Sequence, residues 1–301
     1  MIMKKKIIIG LGSLFLISRI VNARQKASLG KLTEITPRNL GRVDQYWNSR
    51  MDPTLRYLDL MGKIPDSDIL NLDEKRASNR FGLYGIEFGN WLNQEERMAH
   101  FGAGMQSLKD LSVAIGVTNL NIGQNENLSL AFGARGKGGW AAAHFESNRL
   151  VINLTKPNGQ GSLAHEYGHF IDRVLCMKYG ECQLFASGGR STRMRTKQNL
   201  LNSNSAVGLL ESMIDKLYYN DNGSPTNYFL WQTQDSTSDY YRRRTEVFAR
   251  TFEHYVRIKL RDEGIINNYL VDPIKGQDEP PKNLVNKIMP EMKGLIQLAL
   301  K

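Results

Sequence analysis

Apolar positions along the chain gather into a few periodic stretches separated by polar or glycine-rich ones. Met98, Phe101, Met105, Leu108 and Leu111 recur every three or four residues, which predicts a helix running to about Ile115. Asn93 with Glu96 three residues on has the capping-box pattern that would start it. Val207, Leu210, Met213, Ile214 and Leu217 predict a second helix over 205–219, stopped by the turn-forming run 220–225. Val247, Phe248, Phe252, Tyr255 and Val256 form one face of a third, over 245–256. Residues 43–61 look helical with a break near Pro53, and 282–300 reads as one last packing helix containing Pro290. Two stretches read as strands: 128–135, and 150–154, which Pro157, Asn158 and Gly159 close. The glycine-punctuated aromatic run 81–91 predicts a tightly bent strand or loop. Residues 24–42 and 62–80 are polar, and 228–241 is aromatic and irregular.

The N-terminus has its own pattern. Lys4, Lys5 and Lys6 precede an apolar run over 7–17, short of the about 20 residues that a spanning helix needs. That run fits a signal-peptide core, and Val21, Asn22 and Ala23 resemble a small-residue cleavage site. Arg19 sits between that core and the cleavage site, which spoils the export reading, but it could snorkel from an uncleaved membrane anchor. Both readings stand, export and anchorage, ahead of a buried strand or helix. The organisation expected is a signal-like or anchor segment over 1–23, a linker and N-terminal helical region over 24–75, a main domain over 76–275 and a C-terminal helix over 276–301.

A chain of 301 residues is long enough to bury a sizeable core, and it carries no repeat and no low-complexity tract. The net charge of +10 concentrates in part at 190–197 and at Arg242, Arg243 and Arg244. No aromatic-interleaved recognition motif accompanies these clusters, so a solvated basic surface is preferred to a nucleic-acid or acidic-partner patch. Two cysteines, Cys176 and Cys182, would form a disulfide in an exported protein or stay as two thiols otherwise.

The candidate chemistry lies at 163–172, LAHEYGHFID, where H-E-x-x-H is set among uncharged residues behind a plausible N-cap, Ser162. Residues four apart share a helix face, so His165 and His169 can grip one metal ion. Glu166 can reach a water on that ion and take its proton. Two imidazoles and a carboxylate, with the fourth position left open, suit Zn²⁺. Spacing leaves the third ligand open among downstream carboxylates. Asp172 faces the same side one turn on, where orienting a histidine or capping a basic residue suits it better. Glu246 and Glu253 share one face of the 245–256 helix, and each could equally form a surface pair, with Arg250 and Arg257 respectively. Cys176 stands about 10 Å along the helix from His169, too far for the same ion. His100 reads as a core or solvent-facing residue, and His254 lies on another face from Glu253.

Several blocks together resemble the first type of large polyvalent protein-associated domain, a zincin-like domain of phage and conjugative-element proteins. They are 133–139 (GARGKGG), 143–146 (AHFE), 151–156 (VINLTK) and 161–169 (GSLAHEYGH), with 81–91 resembling its leading block and 246–253 its closing helix. The resemblance spans about 76–272. It implies an α+β, zincin-like fold: a small mixed sheet, an H-E-x-x-H active-site helix and additional packing helices. It favours Glu246 as third metal ligand, in the manner of gluzincins, with Glu253 as fallback. The implied activity is a zinc metalloendopeptidase acting on a protein or peptide, with Glu166 as catalytic base. An extended peptide would pair with a strand edge above the metal. Tyr240, Tyr241 and His144 are candidates for steadying the oxyanion. The competing reading is a non-catalytic zincin-fold module that binds nucleic acid or a host protein through its basic surface. Glu166 argues against it, because a purely structural zinc site needs no general base.

Overall fold

The computed structural model describes residues 53–89, 94–135, 143–155, 159–179, 184–190, 205–273, 276 and 278–301. The N-terminal signal-like or anchor segment, the Asn93 cap, Cys182 and the basic cluster beyond Arg190 lie outside the described residues. Among the described residues no helix is long and apolar enough to cross a membrane.

The architecture is mixed α+β, with eleven α-helices and one four-stranded sheet among the described residues. Helices α1 (Pro53–Met61), α2 (Ser67–Leu70) and α3 (Glu74–Phe81) lead into strand β1 (Gly85–Phe88) and the long helix α4 (Gln94–Ile115). Strands β2 (Ser129–Phe132), β3 (Ala143–Glu146) and β4 (Val151–Leu154) follow, then α5 (Leu163–Tyr179) and α6 (Ala206–Tyr218). The C-terminal third holds α7 (Asn227–Gln232), α8 (Asp239–Arg242), α9 (Arg244–Asp262), α10 (Lys282–Lys287) and α11 (Met289–Leu300).

The polar stretch 62–80 is more structured than its composition predicts. The Asp73 carboxylate caps α3 by accepting the Arg76 N–H at 2.7 Å, and Ile69, Ala77 and Phe81 are buried in the main core. The cap and three apolar contacts suffice for short helices in a segment without visible periodicity. Likewise 228–241 is only partly irregular: Thr226 and Ser238 cap the short helices α7 and α8 with their side chains. The single helix expected over 282–300 is two, because α10 ends before Ile288 and Pro290 stands in the first turn of α11. Proline has no N–H for an intrahelical bond, and the first turn is where it is tolerated.

The sheet order is β1-β2-β4-β3, with β1, β2 and β4 parallel and β3 antiparallel to β4. The strand at 151–154 is therefore internal, and the free edge beside the motif helix belongs to β3. Side chains alternate with period two. Ile86, Phe88, Leu130, Phe132, Ile152 and Leu154 face the main core, while Ala131 and Val151 form a separate cluster on the other face. Phe145 of β3 packs edge-on to Phe170 of α5, ring centroids 6.1 Å apart. The main core continues to Leu300, so the C-terminal helices belong to it.

Helices α5 and α9 run antiparallel in close contact. His165 lies by Glu253, Tyr167 packs on Phe252 with centroids 6.0 Å apart, and His169 lies by Thr245. Gly168 sits at the crossing. A Cβ there would stand 2.9 Å from Ala249 Cα and 3.3 Å from Phe252 Cβ. Ala249 Cα is backbone and cannot swing aside. Gly168→Ala should therefore push α9 away, lowering stability by about 1–3 kcal/mol, the range for overpacking a core. Chemical denaturation measures it, and an unchanged midpoint would mean that the helices tolerate the extra methyl.

Candidate metal centre

The crossing brings together side chains from two distant stretches. His165, His169 and Glu246 each present one donor atom, and these atoms lie within 4.8 Å of one another. His165 Nε2 is 3.5 Å from Glu246 Oε2, and His169 Nε2 is 3.6 Å from Glu246 Oε1. Donors about 2.0–2.1 Å from one tetrahedral ion are about 3.3 Å apart along an edge, so these separations suit Zn²⁺ with little adjustment. The imidazole rings stand nearly perpendicular, at 82° with centroids 4.9 Å apart.

Each donor is held from behind. His165 Nδ1 lies 3.4 Å from Glu253 Oε2. Glu253 thus backs His165 instead of joining the donor cluster, which separates two carboxylates that spacing alone could not. Glu253 in turn accepts from Arg257 at 3.2 Å, and Arg257 also pairs with Glu279. His169 Nδ1 lies 3.1 Å from Thr245 Oγ1. The Thr245 hydroxyl also hydrogen-bonds Asp172, so Asp172 reaches His169 through Thr245. Asp172 is fixed by the Ser187 N–H at 2.7 Å and the Ser187 hydroxyl at 2.5 Å. With Nδ1–H donated to Thr245, His169 keeps its Nε2 lone pair toward Glu246. Glu246 accepts from Arg250 at 3.1 Å, and Arg250 also donates to Asp278 at 2.6 Å. Both arginine pairs on α9 are buried, not the surface pairs that an i,i+4 spacing ordinarily gives.

The charges are strongly coupled. Burial opposes charge on His165, but hydrogen bonding to the Glu246 and Glu253 carboxylates holds its pKa up at about 10. Burial and the neighbouring His165 charge push His169 down to about 3. Glu246 is held at about 2: burial raises it, but the His165 hydrogen bond and the charges of His169, His165 and Arg250 outweigh that. Glu166 is raised to about 7 by burial, with the Glu246 and Glu253 carboxylates adding to the shift and His165 opposing it. Its carboxylate also accepts the Phe145 N–H of β3. Two carboxylates face the two imidazoles here, an arrangement that stabilises positive charge, whether protons or a divalent cation.

These groups open into a cleft of about 870 Å³ that is lined by β3, α5, the segment 184–190 and the start of α9. Of the three oxyanion candidates, Tyr240 lines the cleft and hydrogen-bonds Glu246. Burial, with the Glu246 carboxylate, pushes the Tyr240 hydroxyl up to about 12. His144 lines the cleft too, but its ring lies 3.5 Å from Glu146, alternating away from Phe145 and therefore from α5. Tyr241 packs at a tilt against Trp231 and lies under the Arg250 guanidinium instead. Arg244 was grouped with a basic surface, but it is 2% exposed and pairs with Glu211 and the Ser187 carbonyl. Sequence reasoning missed Thr245 and Ser187, since neither has a spacing that ties it to the motif. Cys176 is disulfide-bonded, which removes the two-thiol alternative. His100 meets the Tyr269 hydroxyl at 2.9 Å and His254 meets the Pro280 carbonyl at 2.8 Å, so neither joins the cluster.

The two motif histidines should titrate on opposite sides of neutrality in metal-free protein. His165, raised to about 10, stays protonated from pH 5 to 8, while His169, lowered to about 3, stays neutral with its proton on Nδ1. Histidine ring ¹⁵N shifts report both states. Glu246→Gln removes a carboxylate facing His165 and should bring its pKa down. An imidazole pair titrating together near pH 6.5 would contradict this arrangement.

A family model described as large polyvalent protein-associated domain 1 matches residues 232–297. That stretch contains α8, α9 and α10, with Glu246, Arg250 and Glu253, whereas the resembling blocks over 81–91 and 133–169 lie outside it. No curated protein and no solved structure matches the chain. Over 232–297 the chain is similar to this family.

Proposed function

We propose that the protein is a zinc-dependent metallopeptidase of zincin-like fold. The observation that carries this reading is the convergence of His165, His169 and Glu246 on one point, beside the buried carboxylate of Glu166 and inside an open cleft. His165, His169 and Glu246 would hold the ion, with Glu253, Thr245 and Arg250 orienting them. Bound there, Zn²⁺ would supply a lowered pKa for water and polarisation of a carbonyl oxygen. The remaining work belongs to the chain's own groups. Glu166 takes a proton on its carboxylate and returns it to the leaving amine. The Phe145 N–H keeps that carboxylate in place, and a pKa raised to about 7 poises it for both transfers. Apart from the Phe145 N–H, the edge of β3 offers backbone groups along which an extended peptide can lie. Tyr240, at the cleft wall beside Glu246, can steady negative charge on a peptide oxygen.

The roles separate by mutation. The protein should take up about one zinc per chain, and His165→Ala or Glu246→Ala should lose metal and activity together. Glu166→Gln should keep the metal and lose about 10²–10⁴-fold in kcat. Glu253→Ala should weaken zinc binding by about 10–100-fold without abolishing it, as expected for a residue behind a ligand. Metal analysis and a peptide-library cleavage assay read these outcomes. Full zinc retention in Glu246→Ala would sink the ligand assignment, and a kcat close to the parent's in Glu166→Gln would sink the base.

The pH dependence follows from Glu166. A base acts only when ionised, so kcat/KM should rise with pH along an acid limb governed by this group. Its metal-free value is about 7, and a bound cation favours the ionised form, so the limb should fall at or below about pH 7. A limb well above pH 7 would assign the titration to another group.

A further inference from the structure

Arg243 stands out on the segment that carries the metal-facing glutamate. Its neighbours are all paired: Arg242 with Asp239, Arg244 with Glu211, Arg250 with Glu246 and Asp278, Arg257 with Glu253 and Glu279. Arg243 has no carboxylate partner among the described residues. It lines the cleft, and its guanidinium is 5.3 Å from the centroid of the Tyr240 ring. A second arginine faces the same space. Arg190 follows residues fixed on both sides, since Ser187 holds Asp172 and the Gly189 carbonyl accepts the Thr245 N–H at 3.1 Å. Arg190 also lines the cleft and has no described carboxylate partner. The acidic side chains lining the cleft, Glu166 and Glu246, are turned to the histidines. Two guanidiniums thus line one flank of a single cleft with no carboxylate partner among the described residues, an arrangement suited to carboxylates.

We propose that the cleft selects polypeptides bearing acidic side chains near the segment presented to the metal centre, with Arg243 and Arg190 as the selecting residues. This rests on the peptidase reading above and adds the substrate class to it. A peptide is favoured over nucleic acid as the ligand because the facing wall is the β3 edge with Phe145, which suits an extended backbone and an apolar side chain. No stack of exposed aromatics lines the cleft among the described residues.

The test uses the full-length Glu166→Gln chain loaded with zinc, which binds peptides without cutting them. Two fluorescein-labelled peptides of equal length are compared by anisotropy, one with Glu at alternate positions and one with Gln there. The acidic peptide should bind about tenfold tighter or more, an advantage that falls as salt rises. Arg190→Gln combined with Arg243→Gln should erase the advantage and leave the Gln peptide unaffected. Arg243→Glu should shift preference toward a Lys-bearing peptide, which simple misfolding would not do. Equal affinities in the parent, or an advantage that survives the double substitution, would overturn the proposal. So would an oligonucleotide of the same charge that binds more tightly through the same two arginines. Acidic peptides that bind as expected but stay intact with the zinc-loaded parent would leave the selectivity standing and remove the peptidase reading. Indiscriminate cleavage of Gln and Glu peptides would do the reverse.

Discussion

The close antiparallel contact between α5 and α9 fixes everything at the centre of this molecule. His165 and His169 come from one helix and Glu246 from the other, so their convergence depends on how near the two axes approach. Gly168 sets that approach, because its missing side chain is the space that Ala249 occupies. The glycine lies between the two histidines of the motif, so the same turn that spaces the imidazoles also admits the partner helix. Leu163, Ala164, Tyr167, Phe170 and Ile171 on α5, with Val247, Phe248, Phe252 and Val256 on α9, are fully buried around it. At about 1.5–3 kcal/mol for each large apolar side chain buried, this apolar surround supplies much of the energy that holds the polar centre in place.

That centre is costly. Buried ion pairs regain their desolvation penalty only with good geometry, and replacing them with apolar residues is often neutral or stabilising. Here they form two parallel rows along α9. Arg250 pairs with both Glu246 and Asp278, and Arg257 with both Glu253 and Glu279. Each row backs a different part of the cluster. One fixes the carboxylate facing both imidazoles, the other the carboxylate behind His165. Packing alone would not require carboxylates to be oriented in this way at a low-dielectric site.

The cleft takes its shape from a short segment with little secondary structure of its own. Residues 184–190 are tied to α5 through the Ser187–Asp172 bonds and to α9 through the Thr245–Gly189 and Arg244–Ser187 bonds. The same Asp172 reaches His169 through Thr245, so the wall of the cleft and the orientation of one histidine share an anchor. On the other side β3 supplies the Phe145 N–H that holds Glu166. The centre is therefore clamped between an edge strand and a pinned loop.

The longer helices were legible in sequence from the spacing of their large apolar residues. Periodicity gave α4, α6 and α9, and it placed His165, Glu166 and His169 on one helical turn, because a helix repeats every 3.6 residues whatever it packs against. The short helices α2, α3, α7 and α8 were not legible, since caps and a few contacts hold them, and Pro290 divided a helix that apolar content alone had joined. Glu246 was favoured over Glu253 only through a family resemblance, since seven residues put both on one helix face. Which of them meets the imidazoles and which stands behind His165 follows from where α9 crosses α5. The link from Asp172 through Thr245 to His169 likewise joins residues about seventy positions apart, and no local spacing encodes it. The sequence alone determined that the two imidazoles and Glu166 stand together, because they lie within about one turn of helix. Only the tertiary structure decided which carboxylate faces them and which arginines face the cleft, because those depend on the depth and angle at which two separate helices dock.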